Sequence, residues 1–148
     1  MDNAGTWIRW STGRMELPAA PDVVEVLVVD GANVVGSRPD GWWKDRAGAA
    51  ARLHDRLVAT AGLASRVVLV LEGRARGGVA VGLTGSVEVV HAGGEGDDTI
   101  VEEVAGAAAP GRVVAVVTAD RGLAARVEDL GAIVRRPGWL LDRIAADG

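Results

Sequence analysis

The chain lacks cysteine altogether, which excludes disulfides, thiolate zinc sites and cysteine nucleophiles. It contains only two histidines, far apart in sequence, so a histidine-rich metal site is not expected. No apolar run approaches the roughly 18 residues that a membrane helix needs. The first residues carry charge and tryptophan in place of the continuous apolar stretch of a secretory signal. We therefore expect a cytoplasmic protein that does not act at a membrane.

Positive charge is also scarce, because the formal net charge is −4 and Lys44 is the single lysine. This balance argues against a protein that coats nucleic acid by bulk positive charge. It leaves room for a local arginine-lined groove, or for contact with nucleic acid through a metal. Hydrophobic residues make up 49% of the chain, and 148 residues suit one domain with a single core, so we expect a folded protein.

Apolar runs and helical spacings alternate along the chain from residue 23 onward. Near-continuous apolar runs, typical of parallel strands covered on both faces, occur at 23–29, 66–73 and 112–120, with shorter candidates at 86–92 and 132–137. Apolar residues spaced by three and four predict helices at 44–61, 99–109, 123–130 and 140–144. The alternation predicts an α/β fold, with a mostly parallel central sheet of about five strands and helices on both faces.

Two segments fall outside this alternation. Residues 1–22 show no clear period, and we interpret them as an N-terminal extension that packs on a single domain spanning 23–148. The stretch GRARGGVAVGLTG (73–85) predicts a glycine-rich loop or hairpin between the second and third strands.

Acidic side chains follow or precede three of the predicted elements. Asp30 closes the first strand, Asp120 closes the strand VVAVVTAD, and Asp97 and Asp98 come just before the helix after the third strand. In an open parallel sheet, ligands bind outside the carboxyl ends of the strands. The topology therefore predicts that these acids lie at the same edge of the sheet.

Clustered carboxylates repel one another, and each resists ionisation. A divalent cation would neutralise such a cluster at neutral pH. Oxygen ligands, with no cysteine and little histidine, favour Mg²⁺ or Mn²⁺ over zinc. Such an ion activates water and neutralises charge on a phosphoryl group. The pattern thus predicts a metal site for phosphate chemistry.

Each acid also has an ordinary structural interpretation. Asp30 alone suits a turn, and Asp120 alone would cap the helix that follows it. Thr99 and Glu102 form the pattern of a capping box, which would start a helix without the two acids before it. Asn33 is either a turn residue or an amide that orients Asp30.

Three motifs carry a resemblance to a known family: VLVVDGANVVG, then GEGDDTIVEEV, then VVAVVTADRGLAARVEDLGA. In this order and spacing, they resemble the NYN branch of the PIN-like nuclease superfamily, on its YacP-like side. The similarity spans roughly residues 24–136, most of the chain. It implies a Rossmann-like three-layer (PIN-like) fold, an acidic Mg²⁺ or Mn²⁺ site, and hydrolysis of RNA phosphodiester bonds.

The resemblance also implies roles for individual residues. The residues that match the first, second and third motifs are, in order, Asp30 with Asn33, Asp97 with Asp98, and Asp120 with Thr118. Asp30, Asp97 and Asp120 would be the catalytic residues and metal ligands. Asn33, Asp98 and Thr118 would support them.

The segment SRPDGWWKDR departs from the general motif and resembles a small actinobacterial-type group, sometimes labelled as nucleotide pyrophosphohydrolases. Trp42 and Trp43 would either stack on bases or cover the apolar face of the next helix. Arg121, beside an acid of the third motif, and Arg38 are candidates to contact phosphate.

Three functions follow from these motifs. The leading hypothesis is a metal-dependent ribonuclease whose partner is RNA. The first alternative is a nucleotide pyrophosphohydrolase that uses the same acids. The second is a non-catalytic module that binds RNA or a protein. A homodimer is left open, as are the RNA target and the choice between endonuclease and exonuclease.

Overall fold

The computed structural model describes residues 23–145, so the predicted N-terminal extension at 1–22 lies outside the described residues, as do residues 146–148. The strands are β1 (Val26–Asp30), β2 (Arg66–Leu71), β3 (Gly82–Thr84), β4 (Val87–His91), β5 (Val114–Val117) and β6 (Ile133–Arg135). The helices are α1 (Gly31–Gly36), α2 (Arg46–Val58), α3 (Gly96–Ala107), α4 (Arg121–Asp129) and α5 (Pro137–Leu141). Short 3₁₀ helices lie at Trp42–Lys44 and Gly73–Gly78. No helix within 23–145 is long and apolar enough to cross a membrane.

The six strands form one mostly parallel sheet in the order β3-β4-β2-β1-β5-β6. β1 lies near the centre and pairs in parallel with β2 on one side and β5 on the other. β3 alone is antiparallel, and it pairs with β4 as a hairpin. The sheet has one strand more than the predicted five, because the glycine-rich segment at 73–85 contributes β3.

Side chains alternate across the central strand and fill two separate cores. Leu27 and Val29 pack with residues of α1, α2 and α5. Val26 and Val28 point the other way and pack with residues of α3 and α4. Both faces of the sheet are therefore covered by helices. This explains why the strands read as continuous apolar runs and confirms the predicted α/β architecture.

The start of α3 differs from the prediction. The capping box at Thr99 and Glu102 is wrong, because the helix begins three residues earlier, at Gly96. A contact from another element accounts for the earlier start. Glu72, which follows β2, accepts a hydrogen bond from the Gly96 amide (3.1 Å) and so satisfies an amide that the helix cannot pair internally.

Gly31 lets α1 begin directly against the neighbouring strand. A Cβ atom at this position would lie 2.7 Å from the Val70 carbonyl oxygen and 2.9 Å from the Leu71 side chain. The first of these neighbours is backbone, which has little freedom to move. Glycine is therefore required at position 31 by close packing at the end of β1, not by a turn.

Gly31→Ala is expected to destabilise the protein by about 1–3 kcal/mol, the usual cost of forcing an extra group into a packed core. Urea unfolding would measure this loss. Gly36→Ala in the same helix is the matched control, because a Cβ there would lie 3.5 Å from Trp42, an ordinary contact distance. Equal stability for the two variants would contradict the packing argument.

Candidate active site

Asp30 ends β1 and is almost completely buried, with 3% of its surface exposed. It continues the alternation of Val26 and Val28, so its carboxylate lies on the face of the sheet that carries α3 and α4. Burial raises the pKa of Asp30, because a carboxylate loses its hydration there. A buried carboxylate is stable only where other groups compensate for that loss.

Two neighbouring side chains supply this compensation. The Asn33 amide donates to Asp30 Oδ2 (2.7 Å), and the Thr118 hydroxyl donates to the same oxygen (2.8 Å). The Asn33 backbone amide also contacts Asp30 Oδ1 at 3.4 Å, as at a helix N-cap. These hydrogen bonds oppose the effect of burial on the pKa of Asp30. Asn33 therefore lies within α1 and orients Asp30, rather than forming a turn.

The segment after β5 forms hydrogen bonds with the same side chains that contact Asp30. Thr118 Oγ1 accepts a hydrogen bond from the Asp120 amide (3.1 Å), and Asn33 Oδ1 accepts one from the Ala119 amide (3.2 Å). Asp120 is the N-cap of α4, since its Oδ1 accepts from the Leu123 amide (3.0 Å). These hydrogen bonds connect the ends of β1 and β5. Asp120 remains partly exposed at the edge that the two strands share.

Asp97 lies in the first turn of α3 and is partly exposed. The pKa of Asp97 is raised first by burial, then by the negative charges of Asp120, Asp30 and Glu95, while Arg126 opposes this rise. Asp97 therefore lies within electrostatic range of both other predicted acids. The three acids that the motifs predicted thus lie at one edge of the sheet, at the ends of β1 and β5 and at the start of α3, close enough for Asp97 to be affected by the charges of the other two.

The residues at this edge have the right ligand atoms for a divalent cation, but their arrangement does not form a metal site. Buried or mutually repelling carboxylates are suitable oxygen ligands for Mg²⁺ or Mn²⁺. Within residues 23–145, however, no three histidine, aspartate or glutamate side chains are arranged closely enough to hold an ion. The predicted metal site therefore remains a prediction.

The two basic candidates lie in different places. Arg121 is exposed in the first turn of α4, directly beside Asp120. Arg38 is exposed after α1 and lines a cavity of about 40 Å³ between α1, α2 and α5, together with Asp40 and Arg52. That cavity is on the face of the sheet opposite the Asp30 side chain.

Asp98 and the two tryptophans differ in their contacts and in their exposure to solvent. Asp98 is exposed and accepts a hydrogen bond from Arg126 of α4 (3.1 Å), in an exposed ion pair. Trp42 is half-buried, with the Arg46 guanidinium 5.2 Å from its ring centroid. Trp43 packs edge-on against Trp42 and is 54% exposed. Of the two rings, Trp43 is the more exposed.

Glu72 is an acid at this edge that the motifs did not reveal. It follows β2 and continues the alternation of Val68 and Val70, which places it on the same side of the sheet as Asp30. Its charge contributes to the raised pKa of Asp30. The signal was present in the sequence, since the strand next to β1 also ends in a carboxylate.

Without divalent ions, Asp97→Asn is expected to raise the melting temperature modestly at pH 7. The pKa of Asp97 is higher in the folded protein than its ordinary value of 3.8. At pH values between these two pKa values, the folded protein therefore binds more protons than the unfolded chain. Stability therefore falls as pH rises through that window. Thermal melts of wild type and variant across the acidic range would test this. Parallel pH profiles for the two proteins would contradict it.

No protein-family model matches the chain, and a search of curated proteins likewise finds no match. Among solved structures, the chain is similar to a mutant form of Rae1 (YacP) from Bacillus subtilis, with a TM-score of 0.63 and 19% sequence identity. The similarity covers 80% of this chain and 74% of that one. It shows a shared fold, in agreement with the resemblance of the three motifs to the YacP-like side of the NYN branch.

Proposed function

We propose that this protein is a metal-dependent ribonuclease that hydrolyses phosphodiester bonds of RNA. The observation that supports this most is the convergence of Asp30, Asp97 and Asp120 at the carboxyl edge of a parallel sheet, where open α/β folds bind their ligands. The fold shared with Rae1 (YacP) and the resemblance to PIN-like nucleases favour a nuclease over other phosphate chemistry.

Asp30, Asp97 and Asp120 would hold Mg²⁺ or Mn²⁺, which requires their carboxylates to approach one another more closely than they do in the structure. When bound, such an ion lowers the pKa of a water molecule and neutralises charge on the phosphoryl group. Asn33 and Thr118 keep the Asp30 carboxylate in one orientation through hydrogen bonds of 2.7 and 2.8 Å. This preorganisation avoids the cost of ordering the ligand during the reaction.

The RNA would be held by basic and aromatic side chains around this edge. Arg121, which is exposed beside Asp120, would contact the phosphate next to the cleaved bond. Trp43, with 54% of its surface exposed, is the better candidate for stacking on a base, because Trp42 is half-buried and has the Arg46 guanidinium beside its ring. Base stacking contributes about 1–3 kcal/mol per base in single-strand binders.

A cleavage assay tests the proposal. Purified protein with Mn²⁺ is expected to cleave a single-stranded RNA oligonucleotide, and activity should fall steeply with added salt, because several phosphates must be bound along a polymer. A mononucleotide substrate would show a weaker salt dependence. Hydrolysis of nucleoside triphosphates with the RNA left intact would indicate a pyrophosphohydrolase instead. Failure on both substrates, with metal bound, would indicate a non-catalytic binding module.

Metal binding has a test that does not depend on activity. Saturating Mn²⁺ is expected to raise the melting temperature, since an ion at about 100 times its Kd stabilises the folded state by about 2.7 kcal/mol. Asp30→Asn should remove most of this shift, while asparagine still serves as an N-cap for α1. Asp45→Asn, at the exposed N-cap of α2, is the matched control and should keep the full shift. If calorimetry detects no binding at millimolar Mn²⁺, the metal proposal is wrong.

A further inference from the structure

The amino end of α3 is held by a residue from outside the helix. Its N-cap residue, Glu95, makes no side-chain hydrogen bond to the helix. Glu72 supplies one instead, because its Oε1 accepts from the Gly96 amide at 3.1 Å. The first turn of α3 also contains Asp97, the next residue in the chain. One carboxylate therefore fixes the end of β2 to the turn that carries a predicted metal ligand.

The residue at position 96 is suited to this contact. A Cβ atom at Gly96 would lie 2.8 Å from Glu72 Oε1, too close for the hydrogen bond to persist unchanged. Gly96 is otherwise an unfavourable residue for a helix, in which alanine is preferred. Its buried amide and the absence of a side chain allow the Glu72 carboxylate to approach the helix end.

We propose that Glu72 is a positioning residue, which acts through the Gly96 amide to hold Asp97 in register with Asp30 and Asp120. The proposal rests on the proposed function for its kinetic consequence, but the contact itself does not. Glu72 would not touch the substrate. It would set the distance between the α3 acid and the two acids at the ends of β1 and β5, a distance on which joint binding of an ion depends.

Three variants separate positioning from charge and from stability. Glu72→Ala removes the acceptor and is expected to lower kcat for RNA cleavage about 10–100-fold, the usual effect of losing a partner that orients a ligand, with KM little changed. Glu72→Gln keeps an acceptor oxygen and should retain most of kcat. Gly96→Ala keeps every acid but displaces the Glu72 side chain, so kcat should fall as in Glu72→Ala. The helix itself should be no less stable, because alanine favours it.

The double variant Glu72→Ala, Gly96→Ala provides a further check. If both changes act through one contact, its kcat should lie within about twofold of Glu72→Ala, instead of showing the product of two losses. Glu102→Gln, an exposed acid on the outer side of α3, is the control and should behave as wild type. Wild-type kcat in Gly96→Ala, or equal losses in Glu72→Gln and Glu72→Ala, would overturn the proposal.

Amide hydrogen exchange tests the contact even if the protein cleaves no RNA. The Gly96 and Asp97 amides should exchange faster in Glu72→Ala than in wild type, whereas Glu72→Gln should keep most of the protection. Unchanged exchange at Gly96 in Glu72→Ala would overturn the positioning role on its own. If exchange responds as expected but wild type is inactive on RNA, the proposed ribonuclease function fails while the positioning contact stands.

Discussion

Asp120→Asn is expected to lower Mn²⁺-dependent RNA cleavage by more than about 100-fold while the protein stays folded. Loss of a residue that only orients a ligand costs about 10–100-fold, so loss of a ligand should cost more. The fold should survive because Asp120 caps α4 through one oxygen, which accepts from the Leu123 amide (3.0 Å), and asparagine is an equally good N-cap. Cleavage of a labelled oligonucleotide and a thermal melt would measure the two effects separately.

Asp129→Asn is the matched control for this experiment. Asp129 is exposed at the other end of α4, so the substitution removes the same charge from the same helix without touching the acids. It should leave cleavage unchanged. If Asp120→Asn retains more than about a hundredth of the activity, the loss is no larger than that expected for a residue that only orients a ligand, and Asp120 would not hold the ion.

The centre of the sheet was predictable because its strands are buried on both faces. Nearly every residue of β1 and β5 is apolar, and each of these strands ends at or near an acidic residue. β3 was predictable only as part of a loop or hairpin, since its three residues are exposed and lie in a glycine-rich segment. No core packs on such a strand, so no apolar pattern marks it in the sequence.

Two helix starts were missed for different physical reasons. α1 has six residues, too few to display a helical period, and it begins from a cap on Asp30 itself. The start of α3 depends on Glu72, which lies 24 residues earlier in the chain. A local capping pattern cannot show a contact of that range, so Thr99 and Glu102 misled the prediction.

The site was predicted as a set of acids but not as a hydrogen-bonded network. Asp30 and Thr118 are 88 residues apart and meet only because β1 and β5 are parallel neighbours. The resemblance made Asp97 the metal ligand and Asp98 a supporting residue, although the two acids are adjacent in one motif. In the structure, the charges of the other acids raise the pKa of Asp97, whereas Asp98 forms an exposed ion pair with Arg126.

Thr118→Val is expected to affect both stability and activity, because the Thr118 hydroxyl serves two groups at once. It donates to Asp30 Oδ2 (2.8 Å) and accepts from the Asp120 amide (3.1 Å), and Thr118 is only 2% exposed. Valine has the same shape but leaves a buried carboxylate oxygen and a backbone amide without these partners. This should cost about 1–3 kcal/mol in urea unfolding. Cleavage should fall about 10–100-fold, since the variant keeps all three acids but no longer orients Asp30.

Thr118→Ser distinguishes the hydroxyl from the packing around it. Serine keeps both hydrogen bonds and loses one methyl group, a change worth about 0.8 kcal/mol of apolar burial. The serine variant should therefore be slightly less stable than wild type but nearly as active. If serine reduces cleavage as much as valine does, keeping the hydroxyl does not preserve activity, and the proposed role of the hydroxyl in orienting Asp30 is contradicted. If valine leaves cleavage unchanged, the network between Asp30 and Asp120 has no part in the reaction.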